Sequence, residues 1–276
     1  MILDTHQHFW HYDPVRHEWI SDEMKAIRKD FLPEQLQAIY QKTGVDGCIA
    51  VQVDQTEAET HFLLDLADKH DFIKGVVGWV DLQDENIEER LAYFSRFDKL
   101  VGFRHIVQGE ADVNFMLRPG FLNGISHLST YHFTYDILIF PHQLGAALEL
   151  IRQFPDQKFV IDHLAKPYIK DQFFDGWAVM MKAIGKYPNA YCKVSGMITE
   201  ADWSNWKQHD FIPYLDLVYE AFGPDRLMFG SDWPVCLLAG EYDEVLNLVH
   251  TWMAALSETE KEKILGQNAL GFYGIK

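Results

Sequence analysis

Short apolar runs rich in Val, Ile and Phe recur eight times along the chain, with stretches of helical period between most of them. This alternation signals βα units and a parallel sheet, and it constrains the fold more than any other feature. The runs are Met1 to Thr5, Asp46 to Val53, Phe72 to Val80, Leu100 to Ile106, Phe133 to Phe140, Lys158 to Asp162, Ala190 to Val194 and Arg226 to Phe229. Most are continuously apolar, as strands are when both faces are covered or when one face lines a barrel. Helices are expected at Pro33 to Gln41, Glu57 to His70, Asn86 to Phe97, Gln143 to Phe154, Trp177 to Tyr187, Ile212 to Phe222 and Tyr242 to Leu256. A last helix follows the capping-box spacing Ser257-Glu258-Thr259-Glu260.

Eight units in 276 residues is about 35 residues per unit, the size of a (β/α)₈ barrel. No GxGxxG or GxxxxGKS loop follows any of the runs, which disfavours a doubly wound open sheet. With no internal repeat and no Pro/Gly/Ser-rich linker, the expectation is an α/β fold, a single-domain TIM barrel over residues 1–276. The aromatic segment from Phe9 to Phe31 is too long for an ordinary loop and is expected to form a lid or pocket wall.

A formal charge of −17 argues against a nucleic-acid partner. No apolar run approaches the ~20 residues of a membrane span, and the N-terminus does not read as an export signal. Cys48, Cys192 and Cys236 are far apart and form no CxxC pair, so reduced, buried thiols and a cytoplasmic location are expected. The sequence is compatible with a homo-oligomer.

Active sites of (β/α)₈ barrels are assembled at the C-terminal ends of the strands. Here the first run ends in Asp4-Thr5-His6-Gln7-His8, the fourth in Arg104-His105, the fifth in Pro141-His142, the sixth in Asp162-His163 and the eighth in Ser231-Asp232. Two imidazoles at i and i+2 of an extended segment point to one side and can converge on a metal ion or a substrate oxygen. Taken alone, His105 or His142 could be incidental. The ordered set of HxH, His163 and Asp232 is a coherent site. The remaining histidines lie in expected loops or helices, where a solvated or core imidazole is the default.

In these motifs the chain resembles the amidohydrolase superfamily, and within it the branch of sugar-lactone hydrolases. The residues that carry the resemblance are Leu3-Asp4-Thr5-His6-Gln7-His8-Phe9-Trp10, Gly102-Phe103-Arg104-His105, Val160 to Pro167, Lys193-Val194-Ser195-Gly196 and Phe229-Gly230-Ser231-Asp232-Trp233-Pro234. The resemblance implies a barrel that hydrolyses a cyclic ester, with a small sugar lactone as partner. By motif, Asp232 would activate water, and His6, His8 and His163 would polarise the carbonyl directly or through a metal. Binuclear relatives carry a bridging Lys after the fourth strand, where this chain reads Phe103-Arg104-His105, so at most one ion is expected. A single zinc held by His6, His8 and His163 beside Asp232 fits the usual N/O ligand set. The resemblance implies that this ion is optional.

Around this core, Arg104 is expected to clamp a carbonyl, carboxylate or hydroxyl of the substrate. His105, His142 and Lys166 are further substrate-binding candidates. Trp10, Trp79 and Trp233 could stack on sugar C–H surfaces. Gln52 and Ser195 could bond a polyol or merely cap a loop. Two other functions compete with the lactonase reading. One is a zinc-dependent decarboxylase of an aromatic or unsaturated acid on the same barrel, and the other is a catalytically inert sugar-binding barrel.

Overall fold

A computed structural model describes residues 1–275. Eight parallel strands follow one another around a barrel in chain order. They are β1 Leu3–Gln7, β2 Gly47–Val51, β3 Ile73–Gly78, β4 Leu100–His105, β5 Thr134–Ile137, β6 Phe159–Ile161, β7 Ala190–Val194 and β8 Leu227–Phe229. The outer helices are α1 Pro33–Thr43, α2 Glu57–Lys69, α3 Ile87–Phe94, α4 Pro119–Leu128, α5 Leu144–Gln153, α6 Asp175–Ile184, α7 Gln208–Phe222 and α8 Tyr242–Trp252. The chain ends in α9 Glu258–Glu262, a π-helical turn Lys263–Gln267 and α10 Asn268–Tyr273. This is the (β/α)₈ TIM barrel that the alternation predicts, and no helix among the described residues is long and apolar enough to cross a membrane.

Local chemistry explains the boundaries. Pro33 opens α1 where its missing N–H costs nothing, and Gly44 closes it in the left-handed conformation at φ 74°. Thr56 caps α2 by accepting from the Glu59 N–H at 3.2 Å. Helix α7 starts four residues before the expected Ile212 and carries Pro213 in its second turn. Helix α4 has no counterpart among the expected helices. Gly124 weakens its helical signal, and the reason for that glycine is contact: a Cβ there would lie 2.2 Å from the Leu82 carbonyl oxygen.

Two apolar layers result. The larger lies between the strands and the helices, where side chains such as Leu63, Leu91, Ile125 and Val218 are buried. The smaller fills the foot of the barrel, where Leu3, Ile49, Val77, Val160 and Met228 pack with Phe272 and Tyr273 of α10. The C-terminal helix is therefore a plug at the end opposite the active site. Cys48, Cys192 and Cys236 are buried free thiols, as expected.

The seam between β8 and β1 is closed by individual bonds rather than a regular ladder. Thr5 Oγ1 donates to the Phe229 carbonyl at 2.7 Å, and Asp232 N and His8 N donate to the carbonyls of His6 and Trp233, each at 2.7 Å. This stitching fixes Asp232 against the HxH segment before any side chain meets another.

Candidate active site

His6 lies within β1 and His8 just beyond its end. As the i, i+2 spacing predicts, both rings project to the same side, with centroids 5.0 Å apart. Gln7 between them points away and donates its amide to the Cys48 sulfur at 3.2 Å. Gly230 makes room for this packing, since a Cβ there would fall 2.8 Å from the His6 Cβ.

His163 and Asp232 arrive on unusual backbone. His163, Leu164, Ala165 and Lys166 form a left-handed turn with φ of 52°, 54°, 58° and 49°, and Asp232 has φ 59°. Each such non-glycine residue costs roughly 1–2 kcal/mol, so strain is concentrated at two strand ends that carry chemistry. The turn is held by Trp177, whose indole N–H donates to the Leu164 carbonyl at 2.6 Å. Gly196 leaves space for the His163 ring, because a Cβ there would sit 2.4 Å from its Nδ1. Ser195 Oγ lies 2.9 Å from the same nitrogen.

The three imidazoles converge on one oxygen. Asp232 Oδ1 is 3.4 Å from His8 Nε2, 3.8 Å from His163 Nε2 and 4.0 Å from His6 Nε2. Burial holds His6 neutral, well below the usual imidazole range, with Lys193 and Arg104 reinforcing it and Asp162 opposing. Burial does the same to His163 against the pull of Asp232. Burial also pushes the Asp232 carboxyl up, but the His163 and His8 interactions outweigh it and keep the group below the ordinary carboxylate range. Asp232 is therefore ionised at neutral pH.

This arrangement fits a divalent cation. His8 Nδ1 donates to the Val51 carbonyl at 2.8 Å, so in the neutral ring Nε2 presents a lone pair to a carboxylate 3.4 Å away. Two acceptors at that distance require a proton or a metal ion between them. Donor atoms of His6, His8 and Asp232 all lie within 4.8 Å of one another, and their N,N,O set suits a catalytic metal. His163 is outside that group and lines the adjoining cavity instead.

The cavity has a volume of about 330 Å³ and opens over His8, His163 and Asp232. Arg104 and Lys166 both line it. Arg104 Nη1 lies 3.1 Å from His6 Nε2 and donates to Asp162 Oδ2 at 3.2 Å, while Nη2 donates to the Gln52 carbonyl. Its Nε–H has no partner among the described residues. Lys166 pairs with Glu200 at 3.2 Å. Gln52 ties the second strand to the fourth by donating to the Arg104 carbonyl at 2.9 Å, so it supports the site from behind.

Five expected substrate contacts lie elsewhere. His105 follows Arg104 on the strand and so projects to the opposite face, where it meets Glu110 at 2.7 Å and stacks on Phe115. Trp79 donates its indole N–H to His105 Nδ1 at 3.3 Å and shares that outer position. His142 is exposed and stacks on Phe140. Trp10, within the segment from Phe9 to Phe31, and Trp233, beyond β8, are both buried against Phe31 and so fasten that segment to the barrel. That segment does contribute a pocket wall, through Trp19 rather than Trp10. Phe140, Leu138, Ile106 and Val235 complete an apolar lining that no sequence motif marks.

The amidohydrolase family model matches residues 3–275. An L-fucono-1,5-lactonase of Burkholderia multivorans is 38% identical over 99% of this chain and 96% of that protein. A crystal structure of a Burkholderia multivorans amidohydrolase with bound zinc superposes with a TM-score of 0.96 at 38% identity, covering 100% of both chains. A 5-carboxyvanillate decarboxylase of Novosphingobium aromaticivorans shares the fold alone, at 17% identity and a TM-score of 0.71 over 100% of this chain and 96% of that one. The chain belongs to the amidohydrolase family.

Proposed function

We propose that this protein opens the ring of a sugar lactone by adding water to the ester carbonyl, releasing an open-chain aldonic acid. The observation that carries the reading is the convergence of three imidazole nitrogens on Asp232 Oδ1 at the floor of a cavity with mainly apolar walls. A volume of about 330 Å³ accommodates one monosaccharide-sized ring. The Burkholderia relative, an L-fucono-1,5-lactonase, makes L-fucono-1,5-lactone the first substrate to test.

His6, His8 and Asp232 would hold a divalent ion, with zinc favoured by the donor set and by the zinc-bound relative. Such an ion supplies Lewis acidity, lowering the pKa of water toward what a weakly basic carboxylate can deprotonate. Asp232, ionised at neutral pH, accepts a proton from the attacking water. With the Ser195 hydroxyl donating to its Nδ1, neutral His163 presents Nε2–H to the lactone carbonyl, and Arg104 adds a second donor for the developing oxyanion. The new C–O bond forms as water adds, the ring C–O bond breaks, and Asp232 returns its proton to the departing ring oxygen. Lys166, which lines the cavity, bonds a sugar hydroxyl in this reading.

A panel of aldonolactones assayed by proton release tests this, with an aromatic carboxylate assayed for CO₂ release alongside. Hydrolysis of at least one lactone is expected. An inert lactone panel combined with loss of CO₂ from the aromatic acid would replace this reading with the decarboxylase. Elemental analysis should find no more than one divalent ion per chain, and a stoichiometry near two would contradict the assignment of ligands.

A further inference from the structure

Below the catalytic group, the barrel axis is lined by buried ionisable side chains that this mechanism does not use. Lys193, the penultimate residue of β7, is fully buried, and so are Asp136 and Asp162. Its Nζ pairs with Asp136 Oδ2 at 2.5 Å and lies 3.1 Å from Asp162 Oδ1. From the foot of the barrel, the Tyr273 hydroxyl of α10 donates to Asp136 at 3.1 Å. At the upper end, Asp162 Oδ1 is 3.3 Å from His6 Nδ1. A continuous polar column therefore runs from the C-terminal plug to the first histidine of the HxH.

Burying an ammonium group costs several kcal/mol even when it is paired, and a methionine would fill the same space without that cost. What the charge does is visible at His6. Two tautomers of this ring are conceivable. Lys193 Nζ is 3.3 Å from His6 Nδ1 and could donate to it, which would put the ring hydrogen on Nε2. Nε2, however, already faces the Arg104 guanidinium at 3.1 Å, and two donors cannot share that contact. Asp162 Oδ1, 3.3 Å from Nδ1, has no hydrogen-bond partner of its own among the described residues and is the acceptor available to an Nδ1 hydrogen, which leaves Nε2 as an acceptor 3.1 Å from Arg104 and 4.0 Å from Asp232 Oδ1.

Resting on the lactonase reading, we propose that Lys193 is a positioning residue for this reaction. It pins Asp162 as the acceptor for the His6 Nδ1 hydrogen and so leaves the Nε2 lone pair on the side of His8 and Asp232, where a cation would be held. Tyr273 anchors Lys193 from the far end of the barrel through Asp136. Carboxylate partners of this kind orient a ligating imidazole and raise its basicity.

The test uses the full-length protein and two variants. Lys193→Met combined with Asp136→Asn removes one charge of each sign, and Tyr273→Phe removes one hydroxyl. Long-range ¹⁵N–¹H spectra of the zinc-free protein report the His6 tautomer, with its signals assigned from their loss in His6→Asn. Competition with a chelator reports zinc affinity, and melting curves establish that each variant is folded. The wild type should show His6 as the Nδ1–H tautomer. The double variant should lose that signature, bind zinc about 10–100-fold more weakly, and lose a similar factor in kcat with little change in KM. Tyr273→Phe should shift all three in the same direction by a smaller factor.

An Nε2–H tautomer in the wild type overturns the proposal, as does a folded double variant with unchanged tautomer, zinc affinity and kcat. If the double variant does not fold, Tyr273→Phe decides, and no change in any readout overturns it. Failure of the wild type to hydrolyse any lactone sinks the reaction assignment instead, and the spectra and zinc affinity distinguish the two failures.

Discussion

Asp4 and Asp162 both grip His6, one by its backbone and one by its ring, and they are held in opposite ways. Asp4, at the β8–β1 seam, accepts from Ser231 N at 2.8 Å, Ser231 Oγ at 2.6 Å, Tyr40 OH at 3.0 Å and Tyr242 OH at 3.1 Å. It also accepts the His6 N–H at 3.2 Å. All these donors are neutral, and burial wins against them, so its pKa is raised. Burial opposes the charge of Asp162 as well, but Lys193, His6 and Arg104 outweigh it and hold the group well below the usual carboxylate range. Burial alone thus does not tell a structural carboxylate from a functional one. The charge of its partners does, because neutral donors can tie chain segments together without preserving an ion, whereas cations keep a charge available next to the chemistry.

The contrast can be broken most severely at Asp232, the other carboxylate on the functional side. Asp232→Asn keeps size and much of the hydrogen bonding but removes the base, so kcat should fall by roughly 10²–10⁴ with a near-native melt. Steady-state kinetics and melting curves on one preparation check this. A variant with most of its kcat would transfer the base to a histidine, His163 first. A large drop in melting temperature with a small rate loss would move Asp232 to the structural class.

At the seam the effect should be reversed. Asp4→Ala strands several buried donors, each costing about 1–3 kcal/mol when unsatisfied. A loss of about 3 kcal/mol or more is expected, lowering Tm by very roughly 6–12 °C in a chain of this size. Well below its melt, the folded variant should keep most of its kcat. A native melt with abolished catalysis would mean that Asp4 acts on His6 chemically, and the distinction drawn from partner charge would fail.

The same distinction explains what could be read from the sequence. Eight strands were legible because buried parallel strands are apolar runs, and the HxH, His163 and Asp232 were legible because they stand at strand ends. Helix α4 was not, since Gly124 answers to a neighbour 2.2 Å away rather than to helix propensity. His105 and Trp79 were misplaced because a position at a strand end does not specify which side of the strand a residue faces. Lys193 stands in the sequence only as part of the Lys193-Val194-Ser195-Gly196 motif and Asp136 carries no motif, although a charge inside a strand covered on both faces must find a buried partner. Trp19 carries no local signal, because its place in the cavity wall depends on how the Phe9 to Phe31 segment folds over the barrel.

Glu59 offers the finest test, because it is an internal carboxylate away from the reaction whose nearest defined partner is a neutral donor. It accepts from the Val53 N–H at 3.2 Å, and burial, with Asp54 nearby, raises its pKa to about 7 from 4.5. The native state therefore binds this proton more tightly than the unfolded chain does. The stabilisation is complete below about pH 4.5 and is lost as pH rises through 7. A gap of this size corresponds to about 3 kcal/mol at most, and partial exposure reduces it to about 1–2 kcal/mol. Glu59→Gln retains an acceptor oxygen but cannot titrate, so its melting curves should gain on those of the wild type between pH 5 and pH 8. Subtracting the two series cancels every other titrating group. Parallel series would show that Glu59 does not titrate in this window, and a difference of opposite sign would mean that a cation holds it, as Lys193 and Arg104 hold Asp162.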